Sequence, residues 1–336
     1  MSVKSDHPRF VLLDLHTRPF RRLEADALAA GTVMCLGNFD GVHLAHQSIL
    51  REGTRLSRLA LNGSLCGVFC FFRPSADFLR SRKAASADHL STLREKLEAF
   101  ADCGADFVCL CDFREVRRRT PGGFIRLLKT RLNCRGVVCG FNYRFGIRGA
   151  GTPDLLRDAF PVPDTLGASV LPEMTVSLPD GTSGSVTVSS SRIREALAEG
   201  RPEAAAAMLG RPYALRTRVV PGKQLGRTIG FPTANQYFPP ERLIPQKGVY
   251  AVRVTTPDGV FPGVADVGSH PTVDKRARVN CETHVLGFSG DLYGRRIKVE
   301  FLRFIRPEQK FDSLDELTAA IRRDADTVGE LFRGQI

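Results

Sequence analysis

The sequence predicts an α/β domain followed by a β domain. A doubly wound parallel sheet covers residues 1–203, and a small antiparallel β-barrel with a terminal helix covers residues 204–336. Three observations lead to this. At roughly 150 residues per domain, a chain of 336 residues suggests about two domains with room for sizeable cores. In the first part, short continuous apolar runs alternate with helical periodicity, as in buried parallel strands joined by crossover helices. After Arg211 the strand-like runs follow one another directly, separated by Gly and Pro turns.

The elements follow in order. Thr32 to Leu36 reads as a buried strand, followed by a Gly/Asn/Asp turn and a helix near Leu44 to Leu61. On that helix Ile49, Leu50, Gly53, Leu56, Leu59 and Ala60 share one face. Leu65 to Phe72 is continuously apolar, a strand covered on both faces. Leu93 to Phe100 and Phe124 to Leu132 read as helices, and Phe107 to Cys111, Gly136 to Cys139 and Val170 to Met174 as further strands. Ligands of such sheets sit beyond the carboxyl ends of the strands. Ser189-Ser190-Ser191 then offers caps to a helix over Arg192 to Glu199, closed by Gly200. Pro202 opens a short Ala-rich helix that ends at Gly210. The barrel strands are expected at Ala214–Val220, Val249–Thr255, Gly263–Val267, Glu282–Phe288 and Ile297–Phe304. Ser313 and Glu316 form a capping box for the last helix.

Composition excludes several classes. Hydrophobic residues at 43% and charged residues at 25% are ordinary globular values. No apolar run approaches the ~18 residues of a membrane span, and the polar, basic Met1 to Arg9 does not resemble a secretory signal. The nine cysteines lie largely within apolar runs and include no CxxC pair, so buried reduced thiols in a cytoplasmic protein are expected. A net charge of +12 can serve nucleic acid, anionic lipid or phosphorylated small molecules. Trp is absent, and the Arg117-Arg118-Arg119 run is not interleaved with aromatics as a single-strand-binding face is. The default reading of the charge is a solvated basic face, and charge alone does not choose among these partners.

The first chemical constellation joins the first strand to the first helix: Gly37-Asn38-Phe39-Asp40-Gly41-Val42-His43-Leu44-Ala45-His46. Gly37 and Gly41 allow a tight turn and close approach of a ligand to the backbone. The helix start presents free N–H groups to an anion. His43 and His46, three residues apart, project from one side of the first turn. The pair reads either as surface histidines on a capped turn or as imidazoles that hold phosphate oxygens. No third and fourth ligand stands at metal spacing, which disfavours zinc.

This stretch resembles the GNFDGVHxGH signature of bacterial bifunctional riboflavin kinase/FMN adenylyltransferases (FAD synthetases), members of the wider HxGH nucleotidyltransferases. Further resemblances run in family order. They are Gly140-Phe141-Asn142-Tyr143-Arg144-Phe145-Gly146, Ser189 to Arg194, Leu209 to Tyr213, Gly222 to Asn235, Lys247 to Tyr250, Asp291 to Gly294 and Arg306 to Phe311. Together they span roughly residues 30 to 330. The resemblance implies a Rossmann-like nucleotidyltransferase domain that transfers AMP from ATP to FMN, and a barrel that phosphorylates riboflavin with ATP and Mg²⁺. The substrates and products are then ATP, riboflavin, FMN and FAD.

The same resemblance implies roles. Gly37, Asn38, Phe39, Asp40 and Gly41 line the nucleotide, His43 and His46 hold its phosphates, and Asn142 contacts the flavin. Ser190 and Arg194 grip the β and γ phosphates. In the second half Gly222, Lys223, Gly226 and Arg227 form a phosphate flap without the Walker-type GK[ST]. Pro232-Thr233-Ala234-Asn235 resembles the PTAN motif, in which Thr233 and Asn235 offer oxygens to Mg²⁺, a hard cation. Glu282 matches the family base for the ribityl hydroxyl, and Arg306 shapes the flavin end. The chain departs from the family at Ala45, where the family has Gly, at Phe71-Phe72-Arg73-Pro74-Ser75, which lacks F-D/E-P-H-P, and at Asp266, commonly Asn. With these departures the competing reading keeps only one of the two activities. A basic nucleic-acid-binding protein is the alternative from another class.

Overall fold

The apolar runs of the first part build one sheet. Its strands are β1 (Phe10–Asp14), β2 (Arg21–Arg22), β3 (Thr32–Leu36), β4 (Leu65–Phe71), β5 (Phe107–Cys111), β6 (Cys134–Gly140) and β7 (Gly167–Leu171). Helices α1 (Leu44–Leu59), α2 (Leu93–Asp102), α3 (Phe113–Val116), α4 (Pro121–Arg131) and α5 (Pro153–Ala159) connect them. This computed structural model describes residues 10–60, 63–72, 89–162, 165–179, 184–222, 226, 229–269 and 279–333. The strand order is β2-β1-β5-β4-β3-β6-β7. From β5 to β7 every pairing is parallel, as expected. The unexpected β1 and β2 add an antiparallel edge.

Double winding follows from residue alternation. Met34, Leu36, Phe69, Phe107 and Val137 pack into a cluster on one face. Val33, Cys35, Val68, Val108 and Val138 pack into the cluster on the other, with Leu50 of α1 and Phe100 of α2. A strand buried on both faces needs no polar alternation, which is why these runs are continuous. After β3 the chain builds β4 and β5 on one side, then returns to place β6 on the other. The carboxyl end of β3 is thus the topological switch point, where sheets of this kind leave a crevice.

The contacts divide the chain into two compact units, Met1–Ser86 with Ser91–Thr175, and Ala87–Leu90 with Val176–Ile336. The division falls before the expected 203/204, because α6 (Ser190–Ala198) and α7 (Pro202–Leu209) pack on each other and α7 packs on the barrel strands. Their caps are as expected. The Ser189 hydroxyl accepts from Arg192 N, and Gly210 ends α7 in the left-handed region at φ 74°.

In the second unit, β8 (Thr175–Ser177) and β9 (Ser185–Thr187) form a small hairpin. The barrel strands are β10 (Tyr213–Arg218), β11 (Thr233–Tyr237), β12 (Gly248–Thr256), β13 (Gly259–Ser269), β14 (Val279–Val285) and β15 (Arg296–Arg306). They run antiparallel in the order β10-β15-β12-β13-β14-β11. A bridge between Val220 and Asn235 brings the two outer strands together. Within the core Phe301 meets Tyr213 at a tilt and Tyr250 edge-on. Helix α8 (Leu314–Arg333) covers one flank by seating Val328 against Val249, Ala251 and Val264. Its cap differs slightly from the expected box. Ser313 Oγ accepts from Glu316 N, but the Glu316 carboxylate accepts from Asp312 N. The strand expected over Glu282–Phe288 lies at Val279–Val285, and β11 occupies a stretch in which no strand was expected.

Candidate active sites

In the first unit the chain leaves β3 through a turn held in unfavourable backbone. Phe39 (φ 51°), Gly41 (φ 80°) and Val42 (φ 43°) are left-handed, a strain of about 1–3 kcal/mol for each side-chain-bearing residue. Packing and hydrogen bonds hold it. The fully buried Phe39 ring packs edge-on against Phe100 at 5.3 Å and lies 5.1 Å from the His46 ring. Ser91 Oγ accepts from Gly41 N at 2.9 Å and donates to the buried Asp40 carboxylate at 3.5 Å. The turn thereby delivers His43 as the N-cap of α1, its Nδ1 accepting from His46 N at 3.4 Å. That bond places the His43 proton on Nε2.

The two imidazoles stack, with centroids 3.6 Å apart and planes 16° from parallel. They stand where α1 offers its free N–H groups. The His46 Nδ1 atom is sealed from solvent and has no hydrogen-bond partner. Burial first, then the neighbouring His43 and Lys96, push the His46 pKa well below 6.5, so the ring is neutral near pH 7. Gly37 fits tightly, since a Cβ there would lie 3.1 Å from the Phe39 ring. Lys96 was not singled out in the sequence, although Leu93, Lys96, Leu97 and Phe100 share helical spacing and put a lysine on the apolar stripe. It is 3% exposed, and its Nζ donates to Asn38 O at 3.5 Å.

The second unit brings Thr233, Asn235 and Glu282 together. Asn235 on β11 pairs in register with Glu282 on β14. Buried Asn280 joins them, its Nδ2 donating to Asn235 Oδ1 at 3.2 Å and to Glu282 Oε1 at 3.0 Å. Asn235 Nδ2 in turn donates to Thr233 Oγ1 at 3.4 Å. Asn280 Oδ1 is buried without a partner. Asn280 went unnoticed in the sequence, yet its place two residues before Glu282 on one strand puts both side chains on one face. Gly222 meets this cluster, since a Cβ there would lie 2.6 Å from Asn235 Nδ2. Gly226 O accepts from Phe231 N at 2.7 Å, and a Cβ on Gly226 would strike Phe231 O. Lys223 and Arg227 lie outside the described residues. Asp266 pairs in register with Glu282 across β13 and β14.

The remaining residues are placed differently from one another. Asn142 is exposed just past the carboxyl end of β6. Ser190 and the half-buried Arg194 lie on α6, in the second unit. The Arg306 guanidinium is taken up by the Asp324 carboxylate of α8, with Nη2 to Oδ2 at 2.8 Å and Nε to Oδ1 at 3.1 Å. This ion pair ties the end of β15 to α8. Ala45 lies in the first turn of α1. Phe71 ends β4, while Arg73, Pro74 and Ser75 fall outside the described residues.

Comparison with known proteins bears on both clusters. Residues 25–178 match the FAD synthetase family model, and residues 209–332 match the riboflavin kinase model. The bifunctional riboflavin kinase/FMN adenylyltransferase of Escherichia coli (strain K12) is 40% identical over 306 residues, 90% of this chain and 93% of that protein. The chain belongs to the bifunctional riboflavin kinase/FMN adenylyltransferase family. The family member of Bacillus subtilis (strain 168) is 34% identical over 298 residues, 88% of this chain and 90% of its own. A crystal structure described as a macrolide-efflux protein from Streptococcus pneumoniae shares the fold, with a TM-score of 0.78 and 29% identity over 89% of this chain and 93% of that one. Among the described residues of this family member, no helix is long and apolar enough to cross a membrane. The His43/His46 site falls within the FAD synthetase match and the Asn235/Glu282 site within the riboflavin kinase match. Helices α6 and α7 fall almost wholly between the two matches.

Proposed function

We propose that the first unit adenylylates FMN and the barrel makes that FMN from riboflavin. The observation that carries the reading is the stacked His43/His46 pair at the start of α1, beyond the carboxyl end of β3. It is an anion site built into the segment matched by the FAD synthetase model. In adenylyl transfer an FMN phosphate oxygen attacks the α-phosphorus of ATP, the Pα–O–Pβ bond breaks, and pyrophosphate leaves with the electron pair. The nucleophile is supplied by the substrate, so the protein's work is to position the reactants and stabilise charge. His43 Nε2–H and the α1 N–H groups donate to the phosphate oxygens as charge builds. Asn142, just past the carboxyl end of β6, holds the flavin.

In the barrel, Glu282 takes the proton of the ribityl 5′-hydroxyl as its oxygen attacks the γ-phosphorus of ATP and ADP leaves. Asn280 Nδ2 orients the Glu282 carboxylate by donating to Oε1. Thr233 Oγ1 and Asn235 Oδ1 are neutral oxygens with lone pairs to spare, a donor set that fits Mg²⁺. When bound there, Mg²⁺ screens the phosphate charges. Gly222 and Gly226 lie toward the nucleotide, and Arg306 sets α8 at the flavin end. With nine free cysteines, eight of them buried, we place the protein in the cytoplasm, where thiols stay reduced. Its partners are then small molecules, with no role for nucleic acid or membrane, and a weak homo-oligomer is compatible with both sites.

The test is direct. Incubation with riboflavin, ATP and Mg²⁺, with the flavins separated over time, should show FMN first and then FAD with pyrophosphate. FMN that accumulates without FAD would leave the kinase alone, and unchanged riboflavin would refute the kinase assignment.

A further inference from the structure

Lys96 stands where a lysine costs stability. Its side chain is 3% exposed, and a buried ammonium is expensive unless paired. It follows Glu95, the capping residue of α2, and so lies near the positive end of that helix, where a cation is unfavourable. It also sits close enough to His46 to oppose the charging of that ring. Against these costs the ammonium has three donors. Among the described residues its one hydrogen bond is to Asn38 O, at 3.5 Å, the outer edge of such an interaction. Asn38 belongs to the turn that leads into α1. The same turn carries His43 and His46, whose Nδ1 is likewise sealed and unpartnered. Two buried polar groups on different helices, one with a single long hydrogen bond and one with none, thus stand beside one helix start, with the Asp40 carboxylate already engaged by Ser91, and a phosphate would serve both.

We infer that Lys96 is a phosphate ligand of the adenylyl-transfer site, its Nζ donating to the nucleotide's phosphate chain beside His43 and His46. The inference rests on the adenylylation reading of that site. Asn38 O holds the ammonium in place until the anion arrives, and the sealed surroundings strengthen the attraction that follows.

Two full-length variants test it. Lys96→Met keeps the apolar length and removes the charge. Lys96→Gln keeps a donor for Asn38 O but is neutral. Both should melt no lower than wild type and phosphorylate riboflavin within about twofold of it. For adenylylation of supplied FMN, kcat/KM for ATP should fall by about 10²–10³-fold in each. Inorganic pyrophosphate, titrated calorimetrically, should bind wild type and bind neither variant measurably. If Lys96→Gln adenylylates like wild type, or all three proteins bind pyrophosphate equally or not at all, the inference is overturned. So is it if melting temperature and both activities fall together, which would mark Lys96 as a strut for the turn. Absence of FAD formation in wild type would instead reject the adenylylation reading, and the pyrophosphate titration would still decide whether Lys96 binds phosphate.

Discussion

At the scale of single residues, the first unit assembles a neutral imidazole and the barrel a fixed carboxylate. Because burial, His43 and Lys96 depress the His46 pKa, the folded chain resists a proton that the unfolded chain accepts below about 6.5. Stability from this source is therefore complete above that pH and declines as pH falls below it. The loss of unfolding temperature between about pH 7.5 and about pH 5.5 should be smaller in His46→Gln than in wild type. Equal losses would show that the ring takes up its proton freely in the folded chain. His46→Ala should also cut FAD formation by about 10²–10³-fold while sparing riboflavin phosphorylation. Glu282→Gln should do the reverse, reducing FMN formation by about 10²–10⁴-fold with FAD formation from supplied FMN intact. Loss of both activities in either variant would indicate misfolding. His43 and His46 were legible from their spacing at a helix start, whereas Asn235 and Glu282 were legible only through the family resemblance. Lys96 and Asn280 were harder, since their roles depend on what surrounds them, and burial is a tertiary property.

At the scale of elements, the site depends on how closely α1 lies on the sheet. Gly53 is the contact point. A Cβ added there would sit 2.3 Å from Cys35 Sγ and 3.2 Å from Cys66 Sγ, and these two sulfurs already lie 3.8 Å apart. Gly53→Ala would gain up to about 1 kcal/mol of helix propensity, but the clash would force α1 away from β3 at an overpacking cost of about 1–3 kcal/mol. Net destabilisation is expected, read as a lower denaturation midpoint, together with reduced adenylylation, because the start of α1 carries the histidines. An unchanged midpoint would mean that the sulfurs can move aside. The parallel core was legible in the sequence, since strands buried on both faces are continuous apolar runs and their helices carry caps. Strand β1 is half-buried throughout and pairs antiparallel at the sheet edge, so neither alternation nor a following helix announces it. Strand β11 reads Thr-Ala-Asn-Gln-Tyr, too polar for a core strand by composition. The buried Gln236 amide is satisfied by Thr217 O and Ile297 O, and Asn235 serves the cluster, so tertiary hydrogen bonds override the pattern.

At the scale of the whole molecule, the two chemistries occupy segments matched by separate family models, so they should separate on cutting, and the contacts say where. A cut at 203/204 passes through α7, whose Pro202, Ala204, Ala205, Met208 and Leu209 are buried and which packs on β10 and β15. It also discards α6, which packs on α7 and whose Leu197 O accepts from Gln246 N in the loop before β12. A fragment of residues 184–336 keeps these helices. Both fragments lose His89, whose backbone bonds Glu241 O and Leu243 N, so this loss does not distinguish them. Deleting α6, with its buried Ile193, Ala196 and Leu197, and Pro202 at the start of α7 costs on the order of several kcal/mol, at about 25 cal/mol per Å² of apolar surface, comparable with the ~5–15 kcal/mol total stability of a domain. The 184–336 fragment should therefore fold cooperatively and convert riboflavin to FMN without forming FAD. The 204–336 fragment should melt at markedly lower temperature or fail to fold. Circular dichroism melts and flavin chromatography of the two fragments decide it. Equal melting temperatures would show that α6 and the first turn of α7 lie on the barrel without supporting it, and FAD formation by either fragment would refute the assignment of adenylylation to the first unit.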